Sequence, residues 1–218
     1  MIVVDAGHGG HDPGTSHHGL REKVLALDIA QRLERTLTKR GLSVVMTRSR
    51  DEFIALSRRP AIANRLPADL FVSVHINANR NRRVSGIEVY YPRVSTSSAR
   101  GSLPPAVQPT EVFLPTETVR AILWDLALSQ SRRQSARMAA TICRTMRDRL
   151  RVTCRGARGA RFVVLREAAM PAVLVEVGYL SNRAEASRLA TSTYRQAVAE
   201  AIADGLTQHI RDLGQQHI

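Results

Sequence analysis

No stretch of the chain approaches the roughly 20 consecutive apolar residues that a membrane-spanning helix needs, so a helical membrane protein is excluded. Aromatic residues make up only 4% of the 218 residues, and neither the aromatic-rich RNA-binding motif nor zinc-finger spacing occurs, which argues against a nucleic-acid partner. Cysteine is limited to Cys143 and Cys154. They lie outside any C-x-x-C pattern, so a redox or structural zinc motif is not indicated, and whether they pair in an oxidising compartment stays open. Met1 leads directly into Ile2-Val3-Val4, leaving no room for the charged segment, apolar core and cleavage site of a secretion signal. If the protein is exported, its signal lies outside these residues.

Lysine is nearly missing as well. Lys23 and Lys39 are the only two among 32 basic residues, and the formal charge of +13 is therefore carried by arginine. Such a surplus points to an anionic partner, with nucleic acid, anionic lipid and an acidic cell-wall polymer all qualifying, or to a genome-wide preference for arginine. Net charge governs association and solubility, not fold.

The length fits one domain with a full hydrophobic core. Ile2 to Val4 is short and β-branched and runs into a loop rich in Gly and His. After it Ala26, Ala30, Leu33 and Leu37 recur at helical spacing. Lys39 and Arg40 suit the negative end of that helix, and Gly41 stops it. Ser43 to Thr47, Asp69 to Ile76, Gly86 to Tyr91, Phe162 to Leu165 and Ala172 to Val177 read as strands. Pro60 to Leu66 reads as a short helix opened by its proline. Ala139, Cys143, Met146 and Leu150 mark one later helix, and Val198, Ile202, Leu206 and Ile210 the closing one. This alternation predicts an α/β domain with a mostly parallel central sheet covered by helices on both faces. Residues 94 to 118 break the rhythm with a Ser/Thr run and four prolines. They read as an inserted loop leading into an amphipathic helix around Val119 to Leu128, an insertion of about 93–130 within a single domain of residues 1–218.

His8 follows a strand and a glycine turn, His75 lies near the end of another strand, and Glu22 opens a helix. Open α/β sheets place their sites at such strand ends. Two His and one Glu form a recognised ligand set for hydrolytic zinc, with a fourth position left to water. Taken singly, each residue has a structural explanation: a helix-start carboxylate for Glu22, a hydrogen-bonded core histidine for His75, a loop residue for His8. Glu176 interrupts the apolar run Ala172 to Val177, where an unpaired carboxylate costs several kcal/mol. It needs a partner, unless it faces solvent at the strand end.

Together these residues resemble a family. Val3-Val4-Asp5-Ala6-Gly7-His8-Gly9-Gly10-His11-Asp12-Pro13-Gly14, Arg21-Glu22-Lys23, Ser73-Val74-His75-Ile76-Asn77-Ala78 and Leu174 to Asn182 resemble, in order, the motifs of the zinc-dependent N-acetylmuramoyl-L-alanine amidases of the AmiA, AmiB and AmiC type. Thr47-Arg48, Arg59 to Asn64 and Gly86 to Tyr91 also match, so the likeness spans nearly everything outside about 93–118. It implies one zinc ion per chain held by His8, Glu22 and His75, with Glu176 as the catalytic glutamate. It implies a peptidoglycan substrate, cut between N-acetylmuramic acid and L-alanine in wall remodelling or daughter-cell separation. It further implies an extracytoplasmic location in periplasm or cell wall, and a monomer is expected. His11, His17 and His18 are not required by the motif and are read as surface or substrate-side residues.

Asn77, Arg21, Arg82 and Arg83, together with Arg80, adjoin the expected site loops and are candidates for binding the carboxylates of the stem peptide. Cell-division members of this family carry, in the interval around 93–130, a helix that covers the zinc until an activator displaces it. Pro104, Pro105, Pro109 and Pro115 suit a loop better, although Glu111 or Glu117 would be the residues to reach the metal, and an activator acting through 93–130 is possible. The alternative reading is a catalytically silent peptidoglycan-binding or regulatory pseudo-amidase. Another keeps the metal chemistry but changes the bond to a peptide cross-link or an acetyl group.

Overall fold

A computed structural model describes the backbone of residues 1–93 and 117–215, and side chains over 1–93 and 126–215. The elements in chain order are β1 (Ile2–Ala6), β2 (Ser16–His17), β3 (Leu20–Arg21), α1 (Glu22–Lys39), β4 (Val44–Met46), α2 (Arg58–Asn64), β5 (Leu70–Asn77), β6 (Ile87–Pro92), α3 (Glu117–Leu150), β7 (Cys154–Ala160), α4 (Val163–Arg166), β8 (Ala172–Tyr179), α5 (Arg183–Ala190) and α6 (Ser192–Gln215). Six strands form one sheet in the order β4-β1-β5-β8-β6-β7. β4, β1, β5 and β8 run parallel, β6 is antiparallel to β8, and β7 is parallel to β6. The expected α/β architecture with a mostly parallel sheet is therefore the one observed.

The two-residue period of the strands explains why both sheet faces are covered. One face presents Val4, Val72, Val74, Val173 and Val175 to the apolar stripes of α1, α3 and α6, including Ile29, Leu33, Ile142 and Ile202. The intervening residues Val3, Phe71, Ala172 and Leu174 face the opposite way, against Ala63 of α2 and the segment Val164 to Met170 around α4. Towards the carboxyl ends of β5 and β8 this second face changes from apolar to polar.

Several local expectations need correction. Phe162 to Leu165 is not a strand: Val163–Arg166 forms the short helix α4, and the strand lies just before it, at Cys154–Ala160. That segment, CRGARGA, has little apolar content because, among the described residues, it is an edge strand paired only with β6. The amphipathic helix expected around Val119 to Leu128 and the helix marked by Ala139 to Leu150 belong to one helix, Glu117–Leu150. The short helix begins at Arg58, two residues ahead of Pro60. The first loop contains a small antiparallel hairpin in which Ser16 pairs with Arg21 and His17 with Leu20. Cys143 of α3 and Cys154 of β7 are joined by a disulfide across a Cα separation of 5.8 Å. Glu111 lies outside the described residues; Glu117 starts α3, but its side chain is also outside them. No helix among the described residues is long and apolar enough to cross a membrane.

Candidate functional site

The polar end of the second sheet face is organised around the loop that follows β1. Its carbonyls are held by two buried guanidiniums, each 1% exposed. Arg48 donates to Ala6 O at 2.9 Å, Gly7 O at 2.7 Å and Lys23 O at 2.9 Å. Arg59 donates to Ala6 O at 2.7 Å and His8 O at 2.9 Å, and pairs with Asp5 at 3.0 Å. Asp5 also accepts from Thr47 Oγ1 and Ser73 Oγ, both at 2.6 Å. The buried charges are thus fully engaged, the condition under which such a network rigidifies instead of destabilising.

This frame presents His8, in a left-handed conformation with φ of 58°, to the start of α1 and the end of β5. His8 Nε2 lies 3.2 Å from Glu22 Oε1, and His75 Nδ1 lies 2.9 Å from the same oxygen. The two imidazoles meet edge to face with centroids 5.0 Å apart. One ligand atom from each of His8, Glu22 and His75 falls within 4.8 Å of the others. Two glycines make this convergence possible. A Cβ on Gly7 would sit 2.4 Å from the His75 ring, and one on Gly14, where φ is 63°, would sit 2.6 Å from Glu22 Oε2 and 2.7 Å from the His8 ring.

Surrounding groups fix each side chain. His8 Nδ1 is 2.7 Å from Asp12 Oδ2, which leaves Nε2 directed to the cluster, and Asp12 Oδ1 accepts from Gly14 N at 3.0 Å. Glu22 accepts from Ile76 N at 3.0 Å and Thr15 N at 2.9 Å. Burial opposes ionisation of Glu22, but hydrogen bonds to His75 and His8 outweigh it and hold the carboxyl well below the usual range. Burial likewise disfavours protonated His8, yet Glu22 and Asp12 leave its pKa raised. A ring nitrogen tied to a carboxylate while the other faces a shared centre is the arrangement that orients metal-binding histidines.

Glu176 stands opposite His75 in the β5–β8 register. Its Oε2 is cut off from solvent and has no hydrogen-bond partner among the described residues. Burial, then the charges of Glu22 and Glu88, push its pKa well above the ordinary value. Glu176 is half-buried as a residue, with Oε2 as its enclosed oxygen.

The remaining candidates separate from this cluster. Asn77 donates to Glu88 Oε2 at 3.2 Å and accepts from Ala78 N at 2.8 Å, so its amide is engaged within the protein. Arg21, Arg80, Arg82 and Arg83 are exposed on β3 and on the loop after β5. That loop is tied down by Asn182 Nδ2 donating to Arg82 O at 3.0 Å. His11 is exposed against Phe53, with ring centroids 4.1 Å apart, while His17 and His18 sit on the hairpin. Asp12, Arg48, Arg59 and Glu88 lie within the matching stretches and build the site, but sequence reading gave them no role. For Glu88 the signal existed: like Glu176, it interrupts an apolar strand, between Ile87 and Val89.

An α/β domain that gathers two histidines and a glutamate around one point, beside a half-buried glutamate with one enclosed, unpartnered oxygen, has the donor set of a single-metal centre of hydrolytic type. The chain belongs to the N-acetylmuramoyl-L-alanine amidase family, whose model matches residues 2–208. It is 34% identical over 213 residues to the sporulation-specific N-acetylmuramoyl-L-alanine amidase of Bacillus subtilis, covering 95% of this chain and 67% of that one. Against the amidase AmiA of Escherichia coli the identity is 31%, with 96% of this chain and 75% of the relative covered. Against AmiC of Neisseria meningitidis it is 34%, covering 96% and 52%. This chain thus spans between about half and three quarters of these relatives' lengths. Among solved structures, an N-acetylmuramoyl-L-alanine amidase from Clostridium difficile 630 superposes with a TM-score of 0.76 at 30% identity, with 96% of each chain covered. AmiC2 of Nostoc punctiforme gives 0.74 at 33%, again covering 96% of each.

Proposed function

We propose that this protein is a zinc-dependent N-acetylmuramoyl-L-alanine amidase that hydrolyses the amide between the lactyl group of N-acetylmuramic acid and L-alanine in peptidoglycan. The observation that carries the reading is the convergence of His8, Glu22 and His75 next to the orphaned carboxyl of Glu176. The residues fit a zinc ion: the donors are two imidazoles and a carboxylate, both histidines contact carboxylates, and Gly7 and Gly14 leave room where any side chain would intrude. His8, Glu22 and His75 would hold one ion per chain. When bound, zinc supplies Lewis acidity that polarises a carbonyl oxygen and makes water a stronger acid.

Glu176 then acts as the proton carrier. As a carboxylate it takes a proton from the attacking water, holds it, and delivers it to the nitrogen of the leaving L-alanine as the C–N bond breaks. The hydroxyl oxygen of that water ends on the lactyl carboxylate and the peptide departs with a free amine. The buried Asp5–Arg48–Arg59 frame keeps the His8 loop from shifting during turnover.

The finer roles follow from this reading. Residues 1–218 constitute one catalytic domain with its insertion at about 93–130, through which an activator would act. The protein works as a monomer in wall remodelling or daughter-cell separation. The Cys143–Cys154 disulfide fits an oxidising, extracytoplasmic compartment. The test is mass spectrometry of products released from purified peptidoglycan by zinc-loaded protein, beside a chelated control. Free stem peptides beginning with L-alanine, released only with zinc, are expected. Cut cross-links would move the activity to another bond, and a folded, zinc-loaded sample that cuts nothing would favour a pseudo-amidase.

A further inference from the structure

The site face carries a second charged cluster on β6 and β7. Glu88 is 3% exposed and is the cross-strand partner of Glu176. Its Oε2 accepts from Tyr90 OH at 2.8 Å, Tyr179 OH at 2.9 Å and Asn77 Nδ2 at 3.2 Å. Its Oε1 faces Arg155 Nε at 3.4 Å and Arg158 Nη1 at 3.7 Å. One buried carboxylate therefore anchors two guanidiniums, and the trio keeps a net positive charge.

Each guanidinium has five N–H donors. Among the described residues, Arg155 spends one further on Ser85 O at 3.5 Å, and Arg158 one on Arg155 O at 3.1 Å. The side chains are 38% and 55% exposed, so the remaining donors meet solvent beside the centre. Arginines already held by a buried anchor lose less freedom when they bind a ligand than free surface arginines do.

We propose that Arg155 and Arg158 form a carboxylate-binding subsite for the leaving stem peptide, gripping a free carboxylate two or three residues from the scissile amide. The assignment rests on the amidase reading. Distance sets the register: β7 lies two strands from β8, about 10 Å at the usual 4.7–4.9 Å per strand. An extended peptide covers that span in about three residues at roughly 3.3–3.6 Å each. Chemistry sets the side, because the sugar strand has no free carboxylate once the lactyl group is amidated, whereas the stem peptide has several.

The test uses synthetic muramyl tripeptides that differ in one group: all carboxylates free, the second residue carboxamidated, or the third carboxamidated. Affinity is measured by calorimetry on zinc-loaded full-length Glu176→Gln protein, and cleavage by mass spectrometry on the unsubstituted protein. Carboxamidation at one of the two positions should weaken binding about tenfold. Adding Arg155→Gln and Arg158→Gln should erase the difference, while Lys at both positions should keep part of it. Equal affinity for all three ligands, or a difference that survives the Gln pair, would overturn the subsite. A difference in affinity with no cleavage product would keep the subsite and sink the amidase reading.

Discussion

Two carboxylates in the site have opposite tendencies because of what surrounds them. Glu22 is held ionised by His75 and His8 and by two backbone N–H groups; Glu176, half-buried as a residue, lacks any such donor at its enclosed Oε2. On the proposed reading, position in the fold divides one residue type into a ligand and a proton carrier. Replacing Glu176 with Gln should leave one zinc per chain bound, measured by elemental analysis, while turnover falls about 10²- to 10⁴-fold; unchanged turnover would remove Glu176 from the mechanism. Asp12 acts through His8, so Asp12→Ala should weaken zinc binding about 10- to 100-fold in a chelator competition. An unaltered affinity would show that the contact between Asp12 and His8 orients nothing.

Among the elements, α1 has two duties. Its first residue is Glu22, and its buried stripe packs on the sheet and α6, so the position of the carboxylate depends on how the helix is docked. Asp28 on α1 is bonded by Arg32 at 2.8 Å and by Arg195 of α6. Partial burial raises its pKa, but the bonds from Arg32 and then Arg195 outweigh this and leave it lowered. The folded pKa lies below the unfolded one, so the stabilisation is complete above about pH 4 and fades as pH falls through the folded value. Asp28→Asn should therefore lower the urea midpoint at pH 7 by an amount corresponding to about 1 kcal/mol. The gap from the unsubstituted protein should close in strong acid. A gap of constant size across the acid range would mean that the charge of Asp28 contributes nothing. The final motif serves two ends as well: β8 carries Glu176, while Asn182 caps α5 by accepting from Glu185 N at 3.2 Å.

For the whole molecule, the three proposed ligands come from three segments that only the fold unites, the loop after β1, the start of α1 and the end of β5. An ion that binds them stabilises the native state by mass action, about 4 kcal/mol at a thousandfold excess over its Kd. At roughly 2–4 °C per kcal/mol for a chain of this size, chelation should lower Tm on the order of 10 °C, read by calorimetry. His8→Ala should melt at the same temperature with and without chelator; a chelator effect that persists in this variant would locate the metal elsewhere. The excess of arginine also resolves into different tasks at this scale. Arg48 and Arg59 are interior struts, Arg32 and Arg195 join helices, and Arg155 and Arg158 crowd one carboxylate.

Apolar periodicity was enough to identify α1, α6, β1, β5 and β8, because their inward positions are filled by Leu, Ile, Val and Ala at helical or alternating spacing. It failed at β7, whose residues are mostly Arg, Gly and Ala, since an edge strand is specified by its backbone pairing to β6 and not by its own side chains. It failed again at Phe162 to Leu165, where a run of four apolar residues, three of them in α4, is too short to separate a helix from a strand. His8, Glu22, His75 and Glu176 were legible as a set through their ordered motifs. The unpaired state of Glu176, the engagement of Asn77 by Glu88, and the bracing of the His8 loop by Arg48 and Arg59 were not. These are relations between residues from 11 to about 50 positions apart, and only the folded sheet brings their atoms within a few ångströms and removes water from between them.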